Sequence, residues 1–187
     1  MKILRREIVF HKWVALLALT ALASCGGKLA DDKPLSQVDS LVFTATLNGA
    51  QETPPNNSPG AGIGLAVLNA RDLSFSASVV TTGVADILAH IHGAPPGTPG
   101  PVVFPLAKEA GKVVWNVQGT LTPAQLVTMR SGGFYFNVHS RTFPEGEIRG
   151  QIQFKAPTRE QLDRLLQVAQ ESRVLQDMVQ KARQQIQ

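Results

Sequence analysis

The chain has 187 residues, a formal net charge of +4, 43% hydrophobic and 17% charged residues, which suits one main domain with extensions and excludes a disordered polyelectrolyte. With 16 glycines and 12 prolines against 6% aromatics, it favours short strands joined by turns over a helical bundle. Its single cysteine excludes an intrachain disulfide framework and a cysteine-based zinc cluster.

The charge is concentrated at the start. Lys2, Arg5, Arg6 and Lys12 face only Glu7 within the first 24 residues, so the remainder is close to neutral. No basic cluster with interleaved aromatics is left, and a nucleic-acid partner is not expected. Residues 1–12 are basic and 13–23 (WVALLALTALA) are uncharged and mostly apolar, the layout of a secretory signal over residues 1–24. That run is shorter than the roughly 20 apolar residues that span a bilayer. Leu22-Ala23-Ser24-Cys25 follows at once and resembles a bacterial lipobox, which implies lipidation at Cys25 and a membrane anchor without a transmembrane helix. Residues 25–40, small, polar and charged, read as a lipidated flexible tether. Gly26 after the cysteine, by resemblance to lipoproteins of two-membrane bacteria, implies a cell-envelope protein on the outer membrane, facing the periplasm or the cell surface if the source has two membranes.

Residues 41–155 break into eight short apolar or alternating runs: 41–48, 62–69, 73–82, 86–92, 102–106, 112–119, 133–139 and 147–154. Turn-rich stretches separate them, most densely QETPPNNSPG (51–60) and GAPPGTPGP (93–101). The pattern predicts an all-β antiparallel sandwich or barrel of about eight strands. GAGIG (60–64) is glycine-rich but enters a strand, so a phosphate loop is not expected. No nucleophile elbow, Walker loop or dinucleotide fingerprint is present, and the chain reads as non-enzymatic. Thr122-Pro123-Ala124-Gln125 predicts one short helix, with a capping box at its start and Gly132-Gly133 as its stop.

Residues 156–187 lack glycine and, beyond Pro157, proline. Thr158 and Gln161 form a second capping box, and Glu160 and Arg164 stand at the i,i+4 spacing that stabilises a helix. Leu165, Val168, Leu175, Val179, Ala182 and Ile186 recur every three or four residues, with Ser172 the weak position. This predicts one long C-terminal amphipathic α-helix of up to about 28 residues, roughly 40 Å. It either packs on its own β-domain or serves self-association and protein partners.

Outside the signal the chain has three histidines, His90, His92 and His139. A period of two sets Ile87, Ala89 and Ile91 on the core face, and Leu88, His90 and His92 on the other. In 134–139, Phe134, Phe136 and Val138 face the core, and His139 joins Tyr135 and Asn137 opposite. A His-x-His strand with a third histidine on a neighbouring strand suits a metal, copper in preference to zinc. The competing reading is three partly exposed surface histidines that satisfy turn carbonyls. Ile148, Ile152 and Phe154 take the inner phase of the last run, with Glu147, Arg149 and Gln151 outside. Those read first as a solvated face with an exposed ion pair, and otherwise as groups that orient a histidine or bind an anion. A backbone carbonyl or a carboxylate is expected to hold at least one histidine tautomer, with Glu52 and Glu147 as the candidates.

Residues 43–55 (FTATLNGAQETPP), 89–95 (AHIHGAP), 101–104 (PVVF), 133–140 (GFYFNVHS) and 146–151 (GEIRGQ) resemble the CHRD (chordin) domain, in that order, over about residues 41–155. The resemblance implies an immunoglobulin-like β-sandwich. In chordin the domain accompanies cysteine-rich modules that bind growth factors, and those modules are absent here. The His-x-His strand and His139 are also similar to part of the copper site of copper/zinc superoxide dismutase. This chain lacks a further histidine for a fourth copper ligand or a bridge, and lacks a cysteine pair. The likeness therefore speaks against dismutase activity and leaves simple metal binding open. The expectation is a lipid-anchored, non-enzymatic CHRD protein that binds copper through His90, His92 and His139. The alternatives are a metal-free interaction module that assembles through its C-terminal helix and, as a third class, a redox enzyme using the same histidines.

Overall fold

The structure, a computed structural model, describes residues 39–108 and 110–186. The expected signal at 1–24, the lipidation site Cys25 and the tether up to residue 38 lie outside the described residues. Eight strands form in chain order: β1 (Ser40–Asn48), β2 (Ala61–Asn69), β3 (Ser74–Thr82), β4 (Asp86–Gly93), β5 (Val102–Pro105), β6 (Val114–Thr120), β7 (Phe134–Ser140) and β8 (Ile148–Gln151). They pair antiparallel in one sheet of order β5-β4-β7-β8-β1-β2-β3-β6. The two ends of that order approach each other. Ala107 and Asn116 exchange both backbone hydrogen bonds at 2.8 Å, and the Phe75 and Phe104 rings meet edge to face at 4.7 Å. Of the sandwich and the barrel, the chain adopts a nearly closed barrel.

The inward phase of each strand fills that barrel. Phe43 and Leu47 of β1, Leu68 of β2, Phe75 and Val79 of β3, Ile91 of β4, Phe136 and Val138 of β7, and Ile148 of β8 are all buried in one cluster. Gly64 gives Phe136 its place, because a Cβ there would lie 2.4 Å from the ring. The glycines of the GAGIG run thus serve close packing. The crossover from β6 to β7 carries the expected short helix, α1 (Pro123–Arg130), with both arms of the Thr122/Gln125 capping box made.

Three expectations are corrected. The long C-terminal helix is two short ones, α2 (Arg159–Ala169) and α3 (Arg173–Gln184). Ser172 is the cause: its backbone is extended, and its hydroxyl accepts the Leu175 N–H as the N-cap of α3 and donates to Asn116 Oδ1. The chain folds back there, and Leu162, Leu165, Leu175, Met178 and Val179 pack onto Val42, Leu65, Val67 and Val114 on the outside of β1, β2 and β6. Ile87 is exposed, not core, because a bulge between Asp86 and Leu88 shifts the β4–β7 register. Phe154 also leaves the inner phase: β8 ends at Gln151, and Phe154 stays partly exposed between the Phe43 ring and the Arg130 guanidinium.

Asp86, the first residue of β4, ties the crossover from β3 together. It accepts hydrogen bonds from Thr81 of β3, Trp115 of β6 and Lys108, the last also an ion pair. Burial alone would raise its pKa, but the hydrogen bonds from Lys108, Trp115 and Thr81 outweigh it and hold the carboxyl below its ordinary value. Among the described residues no helix is long and apolar enough to cross a membrane.

Candidate metal centre

Helices α2 and α3 cover the outer face of β1, β2, β3 and β6. On the other half of the barrel, the outer faces of β4, β7 and β8 carry polar side chains. Strand pairing sets Leu88 opposite His139, His90 opposite Asn137 and His92 opposite Tyr135. It also sets Asn137 opposite Arg149, and Tyr135 opposite Gln151. The alternation of the two histidine strands therefore meets in register, and the barrel brings β4 and β7 side by side although 40 residues separate Gly93 from Phe134.

One nitrogen from each of His90, His92 and His139 lies within 4.8 Å of the other two. His90 Nδ1 is 3.1 Å from His139 Nε2, and the ring centroids of the pair are 5.1 Å apart. Two of the tautomers are set by carbonyls, which can only accept a hydrogen bond. His139 Nδ1 donates to Pro144 O at 2.9 Å, and His92 Nδ1 donates to Gly100 O at 2.8 Å. Each of these rings therefore presents an Nε2 lone pair. That of His92 is buried and has no hydrogen-bond partner.

Two of the three rings are also biased toward the neutral form. Burial lowers the His90 pKa from its ordinary value, and the neighbouring His139 and His92 lower it further. His92 is lowered by burial as well, opposed by its bond to Gly100 and reinforced by His139 and Arg149. Neutral imidazole is the form that ligates a metal.

Tyr135 and Arg149 brace the site. The Tyr135 ring stacks on His92 at 5.0 Å and 13°, and its hydroxyl accepts the Gly100 N–H at 3.1 Å. The Arg149 guanidinium lies 3.5 Å from the centre of the Tyr135 ring and donates to Thr53 Oγ1 and Pro95 O. Gln151 donates to Ala94 O. These bonds pin loop 93–101 over the outer face and bring loop 51–60 against it.

The solvated face and exposed ion pair expected at Glu147 and Arg149 are not formed. Both residues are buried, and Arg149 makes no ion pair among the described residues. The two loops displace water from this face. Glu147 accepts from Ser58 Oγ at 2.7 Å, while Glu52 lies against Gly146 and Asn137. The partners found at the histidine Nδ1 atoms of His92 and His139 are the backbone carbonyls of Gly100 and Pro144. A backbone carbonyl in this role was among the expectations, but the sequence could not single out Gly100 and Pro144, since every residue offers the same carbonyl and only the fold decides which one faces a histidine. Tyr135 did carry a signal, its shared phase with His139, but not its stacking partner.

This set of three imidazoles, with no thiolate or carboxylate among them, is suited to copper or zinc. The 3.1 Å between His90 Nδ1 and His139 Nε2 is close to the spacing that metal–nitrogen bonds of about 2.0–2.1 Å impose on two ligands. The model for the CHRD domain family matches residues 43–152. No curated protein and no solved structure matches the chain.

Proposed function

The chain belongs to the CHRD domain family, and we propose that it is a non-enzymatic, lipid-anchored protein of the cell envelope that binds one transition-metal ion through His90, His92 and His139. The observation that carries the reading is the unpartnered, buried Nε2 of His92, on a ring that clusters with two other imidazoles whose ligand atoms lie within 4.8 Å of one another. A buried polar atom with no partner is rare in folded proteins, and a metal ion supplies the missing one. His90 would ligate through Nδ1, and His92 and His139 through Nε2. Copper is favoured over zinc because nitrogen donors bind the divalent copper ion more tightly along the first-row series. The ion, when bound, supplies a Lewis-acidic centre with a coordination position left open by three protein ligands.

Anchoring rests on Cys25 and the apolar run before it. It would hold the domain on the outer membrane, at the periplasmic or outer surface, in a two-membrane cell. The C-terminal helices have less to offer a partner, because their apolar side chains are already buried on the chain's own sheet.

Titration of tag-free protein with copper and zinc tests the metal. One equivalent should bind, and His92→Ala or His139→Ala should weaken binding by at least about tenfold while the fold remains. Equal binding by the triple-alanine variant would remove the site. For the anchor, Cys25→Ser should release the protein from membranes into the soluble fraction, and a variant that still sediments with them would overturn the lipidation reading.

A further inference from the structure

Loop 51–60 closes over β7 and β8 with one contact that does not balance. Glu52 Oε1 and Asn137 Oδ1 are both buried, and neither has a hydrogen-bond partner. They converge on Gly146, where a Cβ would lie 2.7 Å from each. Gly146 has φ of +145°, a conformation that leaves this approach open to glycine. Two acceptors gathered about one buried point, with no donor to either, repel each other unless a proton lies between them. Turning the Asn137 amide over does not help. Its Nδ2 faces Glu145 O at 3.4 Å, so reversal would set Oδ1 against a carbonyl that has no proton to give.

We infer that Glu52 is a proton-binding site, whose carboxylic acid donates its O–H to Asn137 Oδ1, so that closing loop 51–60 takes up one proton. The surrounding charges permit it. Among the described residues Arg149 on β8 is the one cation facing Glu52, and its guanidinium is occupied by the Tyr135 ring, Thr53 and Pro95. From the segment between β7 and β8, Glu145 lines the same cleft as Glu52, and Glu147 is held by Ser58. His90 and His139 stand beyond Asn137, one across the strand pair and one along it. Burial is the largest influence and outweighs both Arg149 and the Thr53 N–H, pushing Glu52 up to about 7.

The site bears on the metal centre through the loop. Thr53 holds Arg149, Arg149 covers Tyr135, and Tyr135 stacks on His92. Ionisation of Glu52 at alkaline pH would loosen the first of these contacts. That consequence rests on the metal reading, whereas the proton site does not.

The test uses metal-free protein. The Glu52 side-chain carboxyl, assigned through its own backbone in ¹³C-labelled protein, should titrate near pH 7, whereas a midpoint near 4.5 overturns the inference. A folded pKa of about 7 against 4.5 means that the folded chain holds this proton roughly 300-fold more tightly than the unfolded one. Because the folded value is the higher one, the stability it contributes is complete below pH 4.5 and disappears as pH rises through about 7. Glu52→Gln keeps a donor for Asn137 and cannot ionise, so between pH 6 and pH 9 wild type should lose stability relative to this variant. A constant difference between the two would also overturn the proposal. Neither outcome depends on whether the histidines bind a metal.

Discussion

Asp86 shows how much one side chain can carry. It begins the histidine strand, yet its three partners come from β3, β6 and the segment after β5. Lys108 is largely buried beside it and lies over the Trp115 ring at 4.6 Å. Removing the carboxylate leaves a cation without its counter-charge in a place with little water. Asp86→Ala should therefore cost about 3 kcal/mol, measured by urea unfolding, because breaking one side of a buried pair is far more damaging than losing an exposed one. A loss within 0.5 kcal/mol would show that the crossover is held by packing alone. The same group makes the protein acid-sensitive. Its folded pKa is below the ordinary value, so its contribution is present above the unfolded value and is lost as pH falls through the folded one.

Among the elements, the C-terminal pair was expected as one helix and is two. The amphipathic spacing holds for Leu165, Leu175, Val179 and Ala182, which are buried, while Val168 is half-buried and Ile186, past the end of α3, is exposed. What the spacing could not express is that the two helices face the same sheet. A straight helix would have carried α3 away from β2 and β3. The turn at Ser172 instead lays both apolar stripes over Val42, Leu65 and Val67. This explains why β1 and β2 are buried on both faces along most of their length. Leu175 is fully buried in that layer, so Leu175→Ala should destabilise the whole domain by about 2–5 kcal/mol in a single cooperative transition. If α3 instead unfolded separately, with the barrel's midpoint unchanged, the helices would be an appendage and not part of the core.

At the scale of the molecule, the two halves of the barrel surface have different roles. One is sealed by helices with apolar side chains, and the other by two proline-rich loops over polar ones. The second carries the three histidines and Glu52, through which pH and the proposed metal would act. His90 and His92 have lowered folded pKa values, so stability that depends on their neutral rings is present above about 6.5 and is lost as pH falls. A metal that binds the folded chain adds stability by mass action, about 2.7 kcal/mol at a free concentration one hundred times Kd. Copper should thus raise the unfolding midpoint at pH 7 and do so less at pH 5, where protons compete for the same lone pairs. An equal gain at both pH values would point to binding away from the histidines.

The sequence determined what is local. Strand positions, both capping boxes, the Glu160–Arg164 pair at 2.8 Å and the side of the strand on which each histidine stands all follow from periods of two and from caps within four residues. Only the tertiary structure decided that β4 lies beside β7, because that pairing needs the barrel to bring distant strands together. Only it decided that the outer face of β7 is dry. Alternation separates inside from outside, but it cannot say that loops 51–60 and 93–101 fold back over the outside. The buried Glu52, Arg149 and His92 Nε2 all result from that closure. Their environment is made by residues far off in the chain, and burial, unlike a cap or a pleat, has no short-range signature.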